Sequence, residues 1–98
     1  MIQVPERCEF DWNEHNERHL AKHGISRSDA EEVLSGDHIL LEYQVEGGEQ
    51  RWIAVGATGG GRILNIVFAV RGEIIRPITG WTADKKTARI FLRQWGKG

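Results

Sequence analysis

The sequence predicts an α+β fold, with two N-terminal helices, a four-stranded antiparallel sheet and a C-terminal helix. Three observations point that way. Apolar residues recur at helical spacing up to Ser35-Gly36, the period falls to two from His38 onward, and a helical period returns after Asp84. Glycine-rich breaks between the period-two stretches suit tight antiparallel turns.

Phe10-Asp11-Trp12 is short and aromatic, and reads either as a brief edge strand or as a lead-in. Asn13 offers an N-cap, and Glu14 to Lys22 reads as a helix stopped by His23-Gly24. Ser26 or Ser28 opens the second helix, and Ser26-Arg27-Ser28-Asp29 has the spacing of a capping box. Ala30, Val33 and Leu34 give this helix its apolar stripe, and Ser35-Gly36 ends it. Ile39, Leu41, Tyr43 and Val45 then alternate with His38, Leu40, Glu42 and Gln44, as in a half-buried strand. Gly47-Gly48 turns the chain into a strand over residues 51–58. Gly59-Gly60-Gly61 turns it again, and Ile63 to Val70, apolar on both faces, is expected to be central. Arg71-Gly72 leads into a strand from Glu73 to about Thr79. Asp84 then caps an amphipathic helix running to about Trp95.

Ninety-eight residues, 40% hydrophobic and 28% charged, describe one globular domain over 1–98 rather than two cores or a disordered chain. No apolar run is long enough to span a bilayer, so no membrane association is expected. The opening residues lack a signal-peptide layout. Cys8 is alone and can close no internal disulfide, which fits a reducing cytoplasm.

The net charge of −1 conceals a split. Residues 1–50 carry four Lys or Arg against twelve Asp or Glu, a balance of −8. Residues 51–98 carry nine cations against Glu73 and Asp84, a balance of +7. Such a chain either presents a basic surface to a polyanion or neutralises one half with the other.

His15, His19 and His23 recur every four residues and share a helix face. Two histidines at this spacing can hold a metal, but no Glu follows His19 and no further ligand has a familiar spacing. No metal or cofactor is therefore expected; proton transfer by His19 or His23 suits a group that titrates near neutrality. The triple glycine lacks the Lys-Ser/Thr and helix of a nucleotide loop. Arg51, Arg62, Arg71 and Arg76 all fall at or near strand ends, and planar guanidiniums on one sheet suit phosphate oxygens. Trp52 and Trp81 lie near them and can stack on bases, whereas Trp12 and Trp95 are expected to complete the core. Asn65, polar in the central strand, either has a neighbour that satisfies it or points into a site.

Three stretches together resemble the BrnT family of toxin ribonucleases. They are Trp12-Asn13-Glu14-His15 through Lys22-His23-Gly24-Ile25, with Ala30-Glu31-Glu32-Val33 after it; Arg51-Trp52-Ile53-Ala54-Val55-Gly56 through Gly61-Arg62-Ile63-Leu64; and Ile75-Arg76-Pro77-Ile78-Thr79. The likeness spans about residues 10–90. Thr79-Gly80-Trp81 departs from the family's Ser-Ala-Arg, so a tryptophan replaces an arginine, and Thr87 stands where Glu is common.

The resemblance implies a RelE-like fold and metal-independent endoribonuclease action that inhibits translation. It further implies neutralisation by a BrnA-like antitoxin, through which operator DNA would be reached indirectly, with a dimer within the complex. RNA cleavage of this kind needs a base, an acid and cations around the phosphate. On this reading Arg62 and Arg76 stabilise the phosphate, Lys22 or His23 moves protons, and His19 and Asn65 support the site. Arg51, Trp52, Arg71, Trp81, Lys85 and Lys86 hold the RNA. The alternative is a degenerate member that binds antitoxin or RNA without cutting.

Overall fold

The computed structural model of the chain describes residues 9–96; Cys8, the N-terminal start and Lys97 lie outside them. The elements run β1 (Glu9–Phe10), α1 (Glu14–Ala21), α2 (Arg27–Ser35), β2 (His38–Glu46), β3 (Glu49–Ala57), β4 (Ile63–Arg71), β5 (Ile74–Thr82) and α3 (Lys85–Trp95). Strands β2 to β5 form the expected antiparallel meander. The sheet nevertheless has five strands, in the order β1-β5-β4-β3-β2, because β1 adds in parallel to β5 through Glu9↔Ile74 and Phe10↔Ile75. Two residues carry no readable periodicity, so the four-stranded expectation is corrected to a mixed five-stranded sheet.

The helices begin where their caps dictate. Asn13 Oδ1 accepts from the Asn16 amide and Asn16 Oδ1 accepts from the Asn13 amide, both at 2.9 Å, a reciprocal box that satisfies two orphan donors. Ser26 and Asp29 do the same for α2 at 3.1 Å. The α1 exit is closed by the Ile25 amide donating to the Leu20 carbonyl across Gly24 at φ +70°. That backbone conformation strains any side chain but glycine's.

Leu20, Ala30, Val33 and Leu34 from the first two helices, with Ile25 from the turn between them, pack on Ala54, Leu64, Ile66, Phe68 and Ile75 of the sheet. Trp12 completes this layer as expected: its Nε1–H donates to Glu31 at 2.7 Å, and the Arg27 guanidinium lies 5.5 Å from its ring centre. Alternation turns buried Val55 to the opposite face, where α3 packs against β3 and β2 and buries Phe91 alone. Trp95, expected in the core, is 46% exposed instead.

Two bulges interrupt the alternation. Leu40 pairs with Ala54 and Glu42 with Ile53, so Leu41 is an extra residue and, like Val45, lies exposed rather than half-buried. Phe68 pairs with Pro77 and Val67 with Thr79, leaving Ile78 extra in β5. Proline is tolerated there because β1 stops short of it and no neighbouring strand needs its missing N–H. The gap is filled by Asn16, 3% exposed, whose Nδ2 donates to the carbonyls of Pro77 and Asp11 at 2.9 Å each. Thus α1 is anchored at the open edge of β5.

Candidate nucleic-acid interface

Antiparallel register decides which arginines meet. Arg51 of β3 lies opposite Ala69 of β4, and Ala69 lies opposite Arg76 of β5. A methyl group between two guanidinium-bearing strands leaves room for both side chains over the sheet. Arg71 lies two positions beyond Ala69 and therefore on the same face. Three arginines from three adjacent strands are gathered on the face turned away from α1 and α2.

Glu49, two residues before Arg51 on β3, sits among them. Its Oε1 accepts from Arg76 NH2 at 2.5 Å and from Arg51 Nε at 3.3 Å. All three side chains are partly buried. Charge-assisted bonds of this kind fix long side chains that would otherwise sample many rotamers. Three depressions meet around the group. The largest, about 680 Å³, is lined by Gly47, Gly48, Glu49, Gln50, Arg51, Val70 and Arg71. A second, of about 130 Å³, brings in Asp11, Ala69, Ile74 and Arg76. The third, about 240 Å³, runs from Arg51 and Arg76 past Pro77 and Ile78 to Asn13, His15 and Asn16. The β5 bulge and the Asn16 anchor therefore set His15 at the rim of the arginine row.

His15 and His19 are ring neighbours at 4.4 Å between centroids. His19 is half-buried, and this desolvation lowers its pKa below the usual histidine value, with His15, Lys22 and His23 adding like-charge repulsion. Among the described residues no group of three His, Cys, Asp or Glu is placed to hold a metal ion.

The four residues expected to act on the phosphate do not converge. Lys22 and His23 are exposed just beyond α1, and Arg62 is beside them, donating to the Gly24 carbonyl at 2.8 Å and lying 3.6 Å from Asp29. Arg76 is level with Ala69, seven positions from Arg62 along β4. That is roughly 23 Å at ~3.3 Å per residue. Arg62 and Arg76 thus stand at opposite ends of the sheet and cannot grip one phosphate.

The supporting residues divide as well. Trp52 packs against the helix-side core, on the face opposite the arginines. Trp81 is 38% exposed on the arginine face and lies opposite Asn65, which is 7% exposed with an unpartnered buried side-chain oxygen. Lys85 and Lys86 are exposed in the first turn of α3 and share an arc of about 100° with Arg89 and Arg93. Glu49 and the part played by Ala69 were missed by sequence reasoning. The usable signal was period-two spacing, which puts Glu49 and Arg51 on one face of their strand.

No curated protein matches the chain. The family model described as ribonuclease toxin, BrnT, of type II toxin-antitoxin system matches residues 12–87. That span takes in both helices that form the main core, the whole meander, the arginine row and His15, and by it the chain belongs to the BrnT family of ribonuclease toxins of type II toxin–antitoxin systems.

Proposed function

We propose that the protein is a RelE-like, metal-independent endoribonuclease that inhibits translation by cutting RNA, with the Arg51–Arg71–Arg76 row as its phosphate site. The observation that carries this reading is the register that lays three guanidiniums over Ala69 on one open sheet face. Forked donors on a fixed scaffold suit the oxygens of a phosphodiester and the charge that grows on them during transfer. Trp81 on the same face would stack a base, and Lys85 and Lys86 would add sequence-independent attraction. Lys22, His23 and Arg62 would contact RNA only beyond the reacting phosphate.

The chain would act in the cytoplasm. Its inhibitor would be a BrnA-like antitoxin whose acidic surface covers the arginine row, so that antitoxin and RNA compete. Dimerisation within that complex and contact with operator DNA would be contributed through the antitoxin.

The purified chain incubated with RNA tests the reading. Cleavage should persist with a chelator present, and Arg76→Ala or Arg51→Ala should slow it by about 100-fold or more, the usual cost of removing one donor to a developing oxyanion. Equal cleavage by wild type and both variants would discard the site. Binding without cleavage by the wild type would favour the module that holds RNA or antitoxin without cutting.

A further inference from the structure

Resting on that ribonuclease reading, we propose that Glu49 is the general base and His15 the general acid of RNA cleavage. Three titratable side chains besides arginine line the depressions around Arg51 and Arg76, namely Asp11, Glu49 and His15. Asp11 borders only the depression on the β5 side that omits Arg51. Glu49 hydrogen-bonds both arginines, and His15 shares a depression with both.

The register places the two groups on opposite sides. Glu49 lies on the Arg71 side of the Arg51–Ala69–Arg76 row, toward the Gly47-Gly48 turn. His15 lies on the Pro77–Ile78 side of the same row. In-line displacement at phosphorus needs a base beside the entering oxygen and an acid beside the leaving one, across the phosphate from each other. A phosphate held by Arg51 and Arg76 would lie between them. Glu49 already touches those guanidiniums, so it is one hydrogen bond away from oxygens adjoining the bound phosphate.

In the step itself the Glu49 carboxylate removes the proton of a ribose 2′-hydroxyl, and the 2′-oxygen forms a bond to phosphorus. The P–O5′ bond breaks with its electron pair going to O5′, which takes a proton from the His15 imidazolium. The products are a 2′,3′-cyclic phosphate and a 5′-hydroxyl. Glu49 is left protonated and His15 neutral, and exchange with solvent restores both.

The test uses the full chain, a short single-stranded RNA, single-turnover cleavage against pH, and equilibrium binding. Glu49→Gln should slow cleavage by about 100-fold or more and abolish the acid limb of the pH profile. RNA binding should be unchanged or tighter, since one anion leaves the basin. His15→Gln should abolish the alkaline limb. Asp11→Asn should leave the profile as it is. The assignment is overturned if Glu49→Gln keeps the acid limb, if Asp11→Asn loses it, if binding falls in step with rate, or if the ends carry a 3′-hydroxyl and 5′-phosphate. A wild type that binds RNA without cutting it overturns the ribonuclease reading and this assignment together; any of the other results removes the assignment alone.

Discussion

Arg62 illustrates how a residue's chemistry is spent by its neighbours. A guanidinium at a strand end suits a phosphate, yet this one donates to the Gly24 carbonyl and faces Asp29, tying the start of β4 to the turn between α1 and α2. Arg62→Ala should therefore cost about 1 kcal/mol, the net worth of one such bond. In a domain of this size that lowers the melting temperature by about 4–8 °C. Cleavage per folded molecule should stay within about threefold. A tenfold loss of cleavage at unchanged melting temperature would return Arg62 to the site.

His19 makes a prediction about pH at the same scale. Its folded pKa is lowered from 6.5, so on acidification the unfolded chain takes up the proton first. Its contribution to stability is complete above that value and is lost as pH falls toward the folded one. Denaturation midpoints followed on lowering pH below 6.5 should decline less in His19→Gln than in wild type. Parallel declines would show that His19 is not the group responsible.

Among the elements, β5 is the most constrained. A Cβ on Gly80 would lie 2.7 Å from the Asn65 carbonyl oxygen, 2.9 Å from Ile66 Cδ1 and 3.1 Å from Leu20 Cδ2. Backbone cannot yield as a side-chain tip can, so Gly80→Ala should destabilise by about 1–3 kcal/mol. Urea denaturation would show it as a lower midpoint at constant slope. A neutral result would mean that α1 and β5 separate more easily than Leu20 packing suggests. Just past the end of β5, Asp84 Oδ1 accepts from the Thr87 amide at 2.7 Å, and this bond lowers the Asp84 pKa. Loss of that cap in Asp84→Ala should lower the denaturation midpoint at neutral pH, and by progressively less as the pH falls and the carboxyl protonates.

Helix starts were legible because Asn13, Ser26 and Asp84 announce themselves locally. The meander was legible from alternation and its glycines. The bulges at Leu41 and Ile78 were not, since an extra residue is set by what a neighbouring strand leaves unpaired. The first leaves Leu41 outside the ladder and exposed, and turns the rest of β2 to the other face from the one the alternation gave it. The arginine row was half legible. In an antiparallel meander the end of one strand adjoins the start of the next, which unites Arg71 with Arg76 and puts Arg62 at the far end. Reading strand ends without their direction merged the two.

At the scale of the whole molecule, the charge split is partly cancelled and partly kept. Arg62 meets Asp29, and Glu49 serves Arg51 and Arg76, so contacts among the described residues join the acidic and basic halves. The α3 cations, in contrast, have no ion-pair partner among the described residues. Replacing Lys85, Lys86 and Arg89 together by Gln should reduce the slope of log affinity against log salt by about 2, at roughly 0.7 per cation on single-stranded RNA. The rate of cutting bound RNA should not change. An unaltered slope would place the RNA elsewhere.

The Asn16 anchor has a consequence for how the molecule comes into being. Its bond to the Pro77 carbonyl joins positions 61 residues apart, and β1 reaches β5 over a similar distance. Hairpins of the meander close short loops and form early, whereas contacts this distant wait for their entropy to be repaid. Residues 9–16 leave the ribosome before β5 does, yet on this argument they should dock only after the meander has formed. Since His15 rides on that segment, the arginine row should be assembled before the side chain that borders it. A chain in which that docking has not occurred would thus present a basic sheet without its histidine, and a ribonuclease toxin would gain its full constellation only after β5 had been synthesised.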